Sequence, residues 1–149
     1  MKPYIKLAEC KTPEGESLEL IEHDGTYMIC SQGEQLMTSF SHGSEETLAE
    51  LACSPFRPVN QARILVGGLG MGYTLAAATK ALPGKRAHFI VSELTADIEK
   101  WNRTHLSHLN PGLLDDPRVD IKIQPVQKVI RQASGEYHAI ILDVDNGPS

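Results

Sequence analysis

Three glycines and one glutamate form the pattern with the clearest chemical meaning in this sequence. Gly68, Gly70 and Gly72 are spaced as G-x-G-x-G directly after the apolar run 64–66. Glycine lets the backbone turn tightly from a strand into a helix and approach a ligand closely. Glu93 follows the next apolar run, about 20 residues further on, where a carboxylate can accept hydrogen bonds from both ribose hydroxyls. Together these residues predict a site for an adenosine-containing ligand.

The same turn partly matches two phosphate-binding patterns. In G-x-x-x-x-G-K-[ST], Gly67, Gly72 and Thr74 fit, but Tyr73 stands where a lysine must contact phosphate. In the dinucleotide pattern G-x-G-x-x-G, Tyr73 replaces the small residue that allows close packing of the helix. A site for an NAD-type dinucleotide is therefore the weaker alternative. A structural alternative also stays open, in which the glycines only make a turn and Glu93 is a solvated loop carboxylate.

Two aspartates follow the last apolar run of the chain. Asp143 comes directly after residues 139–142, and Asp145 lies two residues later. One carboxylate there could take a proton from a nucleophilic amine, and a second could hold a distant ammonium group. Because Asp-Asn-Gly is also common in ordinary turns, a loop that only ends the strand is an equal alternative.

The composition argues against several kinds of partner. The chain has 14 Lys and Arg against 19 Asp and Glu, a formal net charge of −5, and no basic cluster for nucleic acid. No apolar run could cross a bilayer or form a signal-peptide core, so we expect a cytoplasmic protein without a membrane partner. The three cysteines are widely spaced, and His105 and His108 lack a third ligand. The sequence therefore predicts no disulfide framework and no metal site.

The elements that position these residues fall into two groups. Before residue 40, short strand-like runs are separated by His23-Asp-Gly25 and Gln32-Gly33, which predicts an antiparallel β-meander. A helix is predicted to begin at Ser44 as N-cap, with Leu48, Leu51 and Ala52 on its apolar face. After residue 60, apolar strands alternate with amphipathic helices, which predicts a parallel sheet with crossover helices. The predicted strands are 18–22, 26–30, 34–38, 63–66, 88–92, 119–123 and 139–142, and the later helices are 72–82, 96–106 and 126–133.

This pattern predicts a meander over 1–43, a connecting helix and linker over 44–60, and a partial Rossmann-like nucleoside-binding domain over 61–149. Ile98, Trp101 and His105 are expected on one face of the second crossover helix. The last strand would lie near an open sheet edge, which favours pairing with another chain. We therefore expect a fragment of a longer fold or an obligate homo-oligomer.

These residues together resemble the spermidine synthase family of polyamine aminopropyltransferases, within the class I S-adenosylmethionine-dependent methyltransferase fold. The resemblance rests on Ile64-Leu-Val-Gly-Gly-Leu-Gly-Met-Gly72, Ser92-Glu-Leu94, Asp116-Pro-Arg-Val119 and Tyr137-His-Ala-Ile-Ile-Leu-Asp143. It covers about the first half of a typical family member. It implies an α/β fold in which an amino-terminal antiparallel β-meander precedes the first half of a doubly wound Rossmann-like sheet.

The resemblance also implies roles for single residues. Asp143 corresponds to the family's catalytic aspartate, and Asp145 is an approximate counterpart of its substrate-binding aspartate. The implied ligand is S-adenosylmethionine or a decarboxylated or thioadenosine relative, without a metal. The residues implied to bind it are Gln35, Gly68, Gly70, Gly72 and Glu93.

Three departures separate the chain from the family's synthases. Met71 stands where they carry an aspartate that binds the ligand's amine, and Gln124-Pro125 replaces their Gly-Asp pair beside adenine. Their Tyr-His-Glu stretch is not visible around residues 44–51. The sequence thus indicates a divergent spermidine synthase-like protein, either an aminopropyltransferase or a methyltransferase. The alternative is a noncatalytic, self-associating remnant of the same fold.

Overall fold

The computed structural model describes residues 2–142. In this range eight strands form two four-stranded sheets, and four α-helices accompany them. Short 3-10 turns lie at Ser54–Phe56 and Leu113–Asp115. In chain order the elements are β1 (Tyr4–Lys11), β2 (Ser17–His23), β3 (Thr26–Ser31), β4 (Glu34–Thr38), α1 (Gly43–Cys53), β5 (Arg63–Gly67), α2 (Tyr73–Ala81), β6 (His88–Ser92), α3 (Ala96–Arg103), β7 (Val119–Lys122), α4 (Val126–Gln132) and β8 (Ala139–Leu142).

The first sheet is an antiparallel meander in the order β1-β2-β3-β4, as predicted. Its last two connections are two-residue turns in which both residues have positive φ, the conformation that matches the twist of the flanking strands. These turns are Asp24 (50°) with Gly25 (81°) and Gln32 (52°) with Gly33 (80°). Strand β1 was not predicted separately. Its side chains are all exposed or half-buried and do not alternate regularly, so its hydrophobic period is weak.

The second sheet is parallel, in the order β7-β6-β5-β8. The chain builds outward from β5 to β7 and then returns to pair β8 on the other side of β5. Such a switch in direction opens a crevice at the carboxyl ends of the strands, where α/β proteins bind ligands. The predicted order of strands and crossover helices is confirmed. The sheet is packed by the fully buried side chains of Ile64, Val66, Phe89, Val91 and Ile141.

The predicted apolar face of α1 is wrong for Leu48 and Leu51, although Ala52 packs against the core. Leu48 and Leu51 are 45% and 69% exposed, whereas Ala49 and Cys53 are buried. The helix begins at Gly43 with His42 as its N-cap residue, not with Ser44. Small residues four positions apart let α1 lie close against the alanine-rich α2, and this close packing turns the leucines outward.

The end of α3 also differs from the prediction. Ile98 and Trp101 are buried as expected, but the helix ends at Arg103, earlier than predicted. The N–H of Leu106 then donates to the carbonyl of Trp101 over 2.9 Å. This wider turn brings Leu106 into the core and leaves His105 exposed, so His105 does not share the predicted face.

Strand β8 lies at the edge of the parallel sheet, where among the described residues it pairs only with β5. Ile140 and Leu142 are 44% and 53% exposed on it. An apolar edge strand of this kind is a template for pairing with another chain. The edge position agrees with the prediction from the sequence, and homo-oligomer formation stays a prediction.

Arg118 joins the end of α2 to the beginning of β7. Its Nη1 donates to the carbonyls of Leu82 (2.6 Å) and Gly84 (3.2 Å), and its Nη2 donates to Asp116 Oδ2 over 2.8 Å. The guanidinium also lies 5.2 Å from the centroid of the Phe89 ring. The hydrogen bonds that Arg118 donates to Asp116 hold the pKa of the Asp116 carboxyl below its ordinary value. Arg118 therefore satisfies helix-end carbonyls and sets where β7 enters the sheet.

We expect Arg118→Ala to lower the free energy of unfolding by about 2–4 kcal/mol, because it leaves Asp116 Oδ2 and the carbonyls at the end of α2 without their guanidinium donor. Urea denaturation followed by circular dichroism measures the change. Arg86→Ala is the matched control, since Arg86 is exposed, and it should change stability by less than about 0.5 kcal/mol. Equal effects of the two substitutions would contradict the assigned role of Arg118.

Candidate functional site

A cavity of about 420 Å³ lies where the meander meets the carboxyl ends of β5, β6 and β7. Its size suits a small organic ligand, and its position matches the crevice expected from the strand order. Both sheets contribute to its walls, so a ligand there would contact the meander and the glycine turn together. The lining residues are Thr12, Glu14, Glu16, Leu18, Ile29, Leu36, Met37, Gly67, Gly68, Gly70, Ser92, Glu93, Leu94, Thr95, Ile98, Gln124, Pro125, Val126 and Gln127.

The glycine turn presents two of its three predicted glycines to the cavity. Gly68 has φ of 105°, which side chains of other residues rarely allow, and its N–H donates to the Ser92 carbonyl over 2.8 Å. Gly70 lines the cavity as well. Gly72 faces elsewhere: a Cβ there would lie 3.1 Å from Leu113 Cδ2 and 3.2 Å from Asn110 Nδ2. Glycine is thus favoured at position 72 because the residue starts α2 with a positive φ and because a side chain there would crowd Leu113 and Asn110.

Glu93 joins the end of β6 to the glycine turn. Its side chain lines the cavity, and the residue is only 8% exposed. Oε1 accepts a hydrogen bond from the N–H of Leu69 over 2.9 Å, and Oε2 accepts one from the N–H of Thr95 over 2.9 Å. A carboxylate has about four acceptor positions, so capacity is left for ligand hydroxyls. The description of Glu93 as a solvated loop carboxylate is therefore wrong.

Two asparagines that sequence reasoning missed hold the carbonyls of the turn. Asn102 Nδ2 donates to the carbonyls of Gly70 (2.7 Å) and Ile98 (2.8 Å), and Asn110 Nδ2 donates to the carbonyl of Met71 over 3.0 Å. Asn102 and Asn110 are 32 and 39 residues from their partners in the turn, and no motif spacing connects such positions. They position the turn and do not line the cavity.

The cavity carries negative charge. Glu14 and Glu16 reach it from the β1–β2 turn and Glu93 from β6, while no Lys, Arg or His is among the described residues that line it. Met71 is buried in the hydrophobic core and supplies nothing to the cavity. Two of the three carboxylates that line the cavity thus come from the meander, a contribution that the sequence did not indicate.

The remaining predicted site residues are Gln35, Asp143 and Asp145. Gln35 is exposed on β4, where its neighbours Leu36 and Met37 line the cavity and Gln35 does not. Its contact with a nucleoside stays a prediction. Asp143 and Asp145 lie outside the described residues, so their proposed roles rest on the sequence.

Tyr73 stands where the phosphate-binding pattern G-x-x-x-x-G-K-[ST] has its lysine. Its ring stacks on His42, with centroids 3.9 Å apart and planes 9° apart, and His42 Nδ1 contacts Glu46 Oε1. Burial raises the pKa of the Tyr73 hydroxyl, and the charges of Glu45 and Glu46 raise it further. A neutral phenol packed beside α1 offers no positive charge to a phosphate.

Other kinds of site find no support over residues 2–142. No group of three or more His, Cys, Asp or Glu side chains is placed to hold a metal ion. No helix in this range is both long and apolar enough to span a membrane. Cys10, Cys30 and Cys53 are free thiols, and burial raises the pKa of Cys53 to about 11.

Comparison with solved structures identifies the architecture. A spermidine synthase from Thermotoga maritima superposes with a TM-score of 0.77 and 22% identity, over 97% of this chain and 48% of its own. The chain has a spermidine synthase-like fold. A spermidine synthase in complex with the transition state analogue AdoDATO superposes with a TM-score of 0.76 and 22% identity, over 95% of this chain and 47% of its own.

The spermidine synthase-like fold confirms the predicted combination of a β-meander with a Rossmann-like sheet of the methyltransferase type. The chain spans about half the length of these two structures. No protein-family model matches the chain, and no curated protein sequence is significantly similar to it. The similarity therefore establishes the fold, and the function must be argued from the cavity.

We expect Asn102→Ala to loosen the glycine turn, because the Gly70 carbonyl loses its side-chain donor. The free energy of unfolding should fall by about 1–2 kcal/mol, the usual effect of one lost hydrogen bond that leaves a partly buried group unpaired. Hydrogen exchange at residues 70–73 should become faster. The exposed Asn60 gives the matched control, Asn60→Ala. Unchanged exchange in the turn of Asn102→Ala would show that Asn102 does not position it.

Proposed function

We propose that the cavity binds a positively charged thioadenosine compound and that the chain belongs to a transferase acting on it. The observation that carries this proposal is the buried carboxylate of Glu93, which bonds to the glycine turn and lines the cavity beside Gly68 and Gly70. A carboxylate at the end of this strand is the usual partner of ribose hydroxyls. The spermidine synthase-like fold supports the same class of ligand.

The charge of the cavity supports a cationic ligand over a dinucleotide. Glu14 and Glu16 would repel the phosphates of NAD, and no basic side chain among the described lining residues would compensate. A sulfonium or ammonium group would instead be attracted. The carboxylate of S-adenosylmethionine also lacks a basic partner there, so the decarboxylated form is the preferred ligand. One similar structure is a spermidine synthase that holds the transition state analogue AdoDATO, in line with this preference.

The proposed chemistry is nucleophilic displacement at an activated carbon. A sulfonium donor supplies such a carbon together with a neutral thioether leaving group. Positioning provides most of the rate gain in a reaction of this kind, and the glycine turn and Glu93 would hold the donor rigidly. Asp143 would take the proton released by the attacking amine, and Asp145 would hold a second ammonium group. Both aspartate roles come from the sequence and from its resemblance to the synthases.

Isothermal titration with decarboxylated S-adenosylmethionine, S-adenosylmethionine, methylthioadenosine and NAD tests the proposal. We expect affinity to fall in the order decarboxylated S-adenosylmethionine, S-adenosylmethionine, NAD. Glu93→Ala should weaken adenosyl-ligand binding at least tenfold, because hydrogen bonds to a charged group contribute about 1.5–3 kcal/mol each.

The matched control is Glu34→Ala, since Glu34 is exposed on β4 away from the cavity. It should leave the affinity for adenosyl ligands unchanged. Circular dichroism confirms that each variant is folded. Three results would contradict the proposal. They are that no adenosyl sulfur compound binds, that NAD binds more tightly than the adenosyl sulfur compounds, or that Glu93→Ala leaves the affinity for adenosyl ligands unchanged.

A noncatalytic, self-associating protein is the second candidate, and the exposed apolar edge of β8 favours it. We expect the chain to form oligomers through this edge, because pairing would cover Ile140 and Leu142 and satisfy unpaired backbone groups. Size-exclusion chromatography with light scattering measures the mass, and Ile140→Lys should shift it toward the monomer. Phe40→Lys is the control at an exposed apolar residue outside the parallel sheet. A wild-type chain that is a soluble monomer would count against this candidate.

A further inference from the structure

Another cavity of about 420 Å³ lies at the end of the parallel sheet opposite the glycine turn. Its walls come from the end of α2 and from the segments that lead into β5 and β6, which places it at the amino ends of those strands. It shares no lining residue with the cavity that contains Glu93. A ligand bound here would therefore lie apart from the proposed nucleoside site.

The lining of this cavity combines buried apolar side chains with exposed positive charges. Ala62, Leu82 and Ala87 are buried, whereas Arg57 and Lys80 are exposed to solvent. No Asp or Glu is among the described residues that line it. The whole chain has a formal net charge of −5, so the local excess of positive charge is opposite in sign to the rest of the molecule. Such a cavity attracts an anion.

Arg57 keeps hydrogen-bond donors for a ligand. Its Nε donates to the carbonyl of Ala81 over 3.4 Å, which holds the side chain against the end of α2. Its Nη2 lies 3.8 Å from Glu50 Oε1, an exposed ion pair that is too long for a hydrogen bond. A guanidinium group carries five N–H donors, so those on the Nη atoms remain available to the oxygens of an anion.

The carbonyl oxygens at the end of α2 would repel an anion if they had no donors. Arginine side chains bind them instead. Arg118 Nη1 donates to the carbonyls of Leu82 and Gly84 over 2.6 and 3.2 Å, and Arg57 Nε donates to that of Ala81. The same hydrogen bonds fix the wall that residues 81–84 form. The cavity is therefore shaped before a ligand enters, and its helix end is compensated.

We propose that this cavity binds a small organic carboxylate. Its hydrocarbon body lies on Ala62, Leu82 and Ala87, because burial of apolar surface favours such a body. Its carboxylate is held by Arg57 and Lys80, since a guanidinium group matches the geometry of a carboxylate and an ammonium group adds a second charge. The inference does not rest on the proposed function, because the two cavities have no lining residue in common.

Isothermal titration with octanoate, butanoate and octanamide tests both parts of the proposal. We expect one octanoate molecule to bind per chain. Butanoate should bind at least about tenfold more weakly, because each buried methylene group contributes about fourfold to affinity. Octanamide has the same body without the charge. It should also bind at least about tenfold more weakly, because it forms no ion pair with Arg57 or Lys80.

Three variants test the assigned cations. Arg57→Gln should weaken octanoate binding about tenfold and Lys80→Gln about threefold, the smaller effect because an exposed ammonium group binds an anion more weakly. Lys85→Gln is the matched control. Lys85 is exposed and follows Gly84, but it does not line the cavity, so the same change of charge should alter affinity by less than about twofold. Thermal denaturation checks that each variant is folded.

Backbone chemical shifts locate the bound molecule. Octanoate should move the amide signals of residues 57–62 and 80–87 and leave those of residues 68–72 in place. The proposal is overturned if octanoate does not saturate the chain, if it moves the glycine turn instead, or if octanamide binds equally well. Equal losses in Lys80→Gln and Lys85→Gln would overturn it too, and so would inorganic phosphate binding as tightly as octanoate, because phosphate has no apolar body.

Discussion

The site depends on a single buried carboxylate that supports the glycine turn. The turn between β5 and α2 places Leu69 N–H in the protein interior, where an unpaired donor would be costly. Glu93 accepts from that N–H and from the N–H of Thr95, and so ties the ends of two neighbouring strands together. Asn102 and Asn110 satisfy the turn's carbonyls from the other side. The carboxylate that we propose to bind ribose therefore also holds the glycine turn in shape.

The meander determines the electrostatic character of the cavity. The parallel sheet supplies backbone groups, Glu93 and apolar walls, whereas the β1–β2 turn adds Glu14 and Glu16. With Met71 buried in the core, negative charge reaches a ligand from the meander and from β6, and not from within the glycine turn. The carboxylates that line the cavity therefore come from two different parts of the fold.

Features with a local cause could be predicted. The positive φ values at Asp24-Gly25 and Gln32-Gly33 follow from turn chemistry, and the order of parallel strands follows from alternating apolar runs and helices. Features that depend on contacts between residues far apart in the chain could not be predicted. The outward position of Leu48 and Leu51 follows from close packing of α1 on α2, which α1's own periodicity does not encode. Strand β1, half-exposed along its length, gave too weak a period to be recognised.

The sequence by itself determined the architecture and the position of the site, because glycine spacing and strand periodicity are properties of adjacent residues. It also indicated that Glu93 belongs to the site. Only the tertiary structure decided what surrounds the site, because those contacts join residues that lie far apart in the chain. It brought Glu14 and Glu16 to the cavity and turned Met71 into the core.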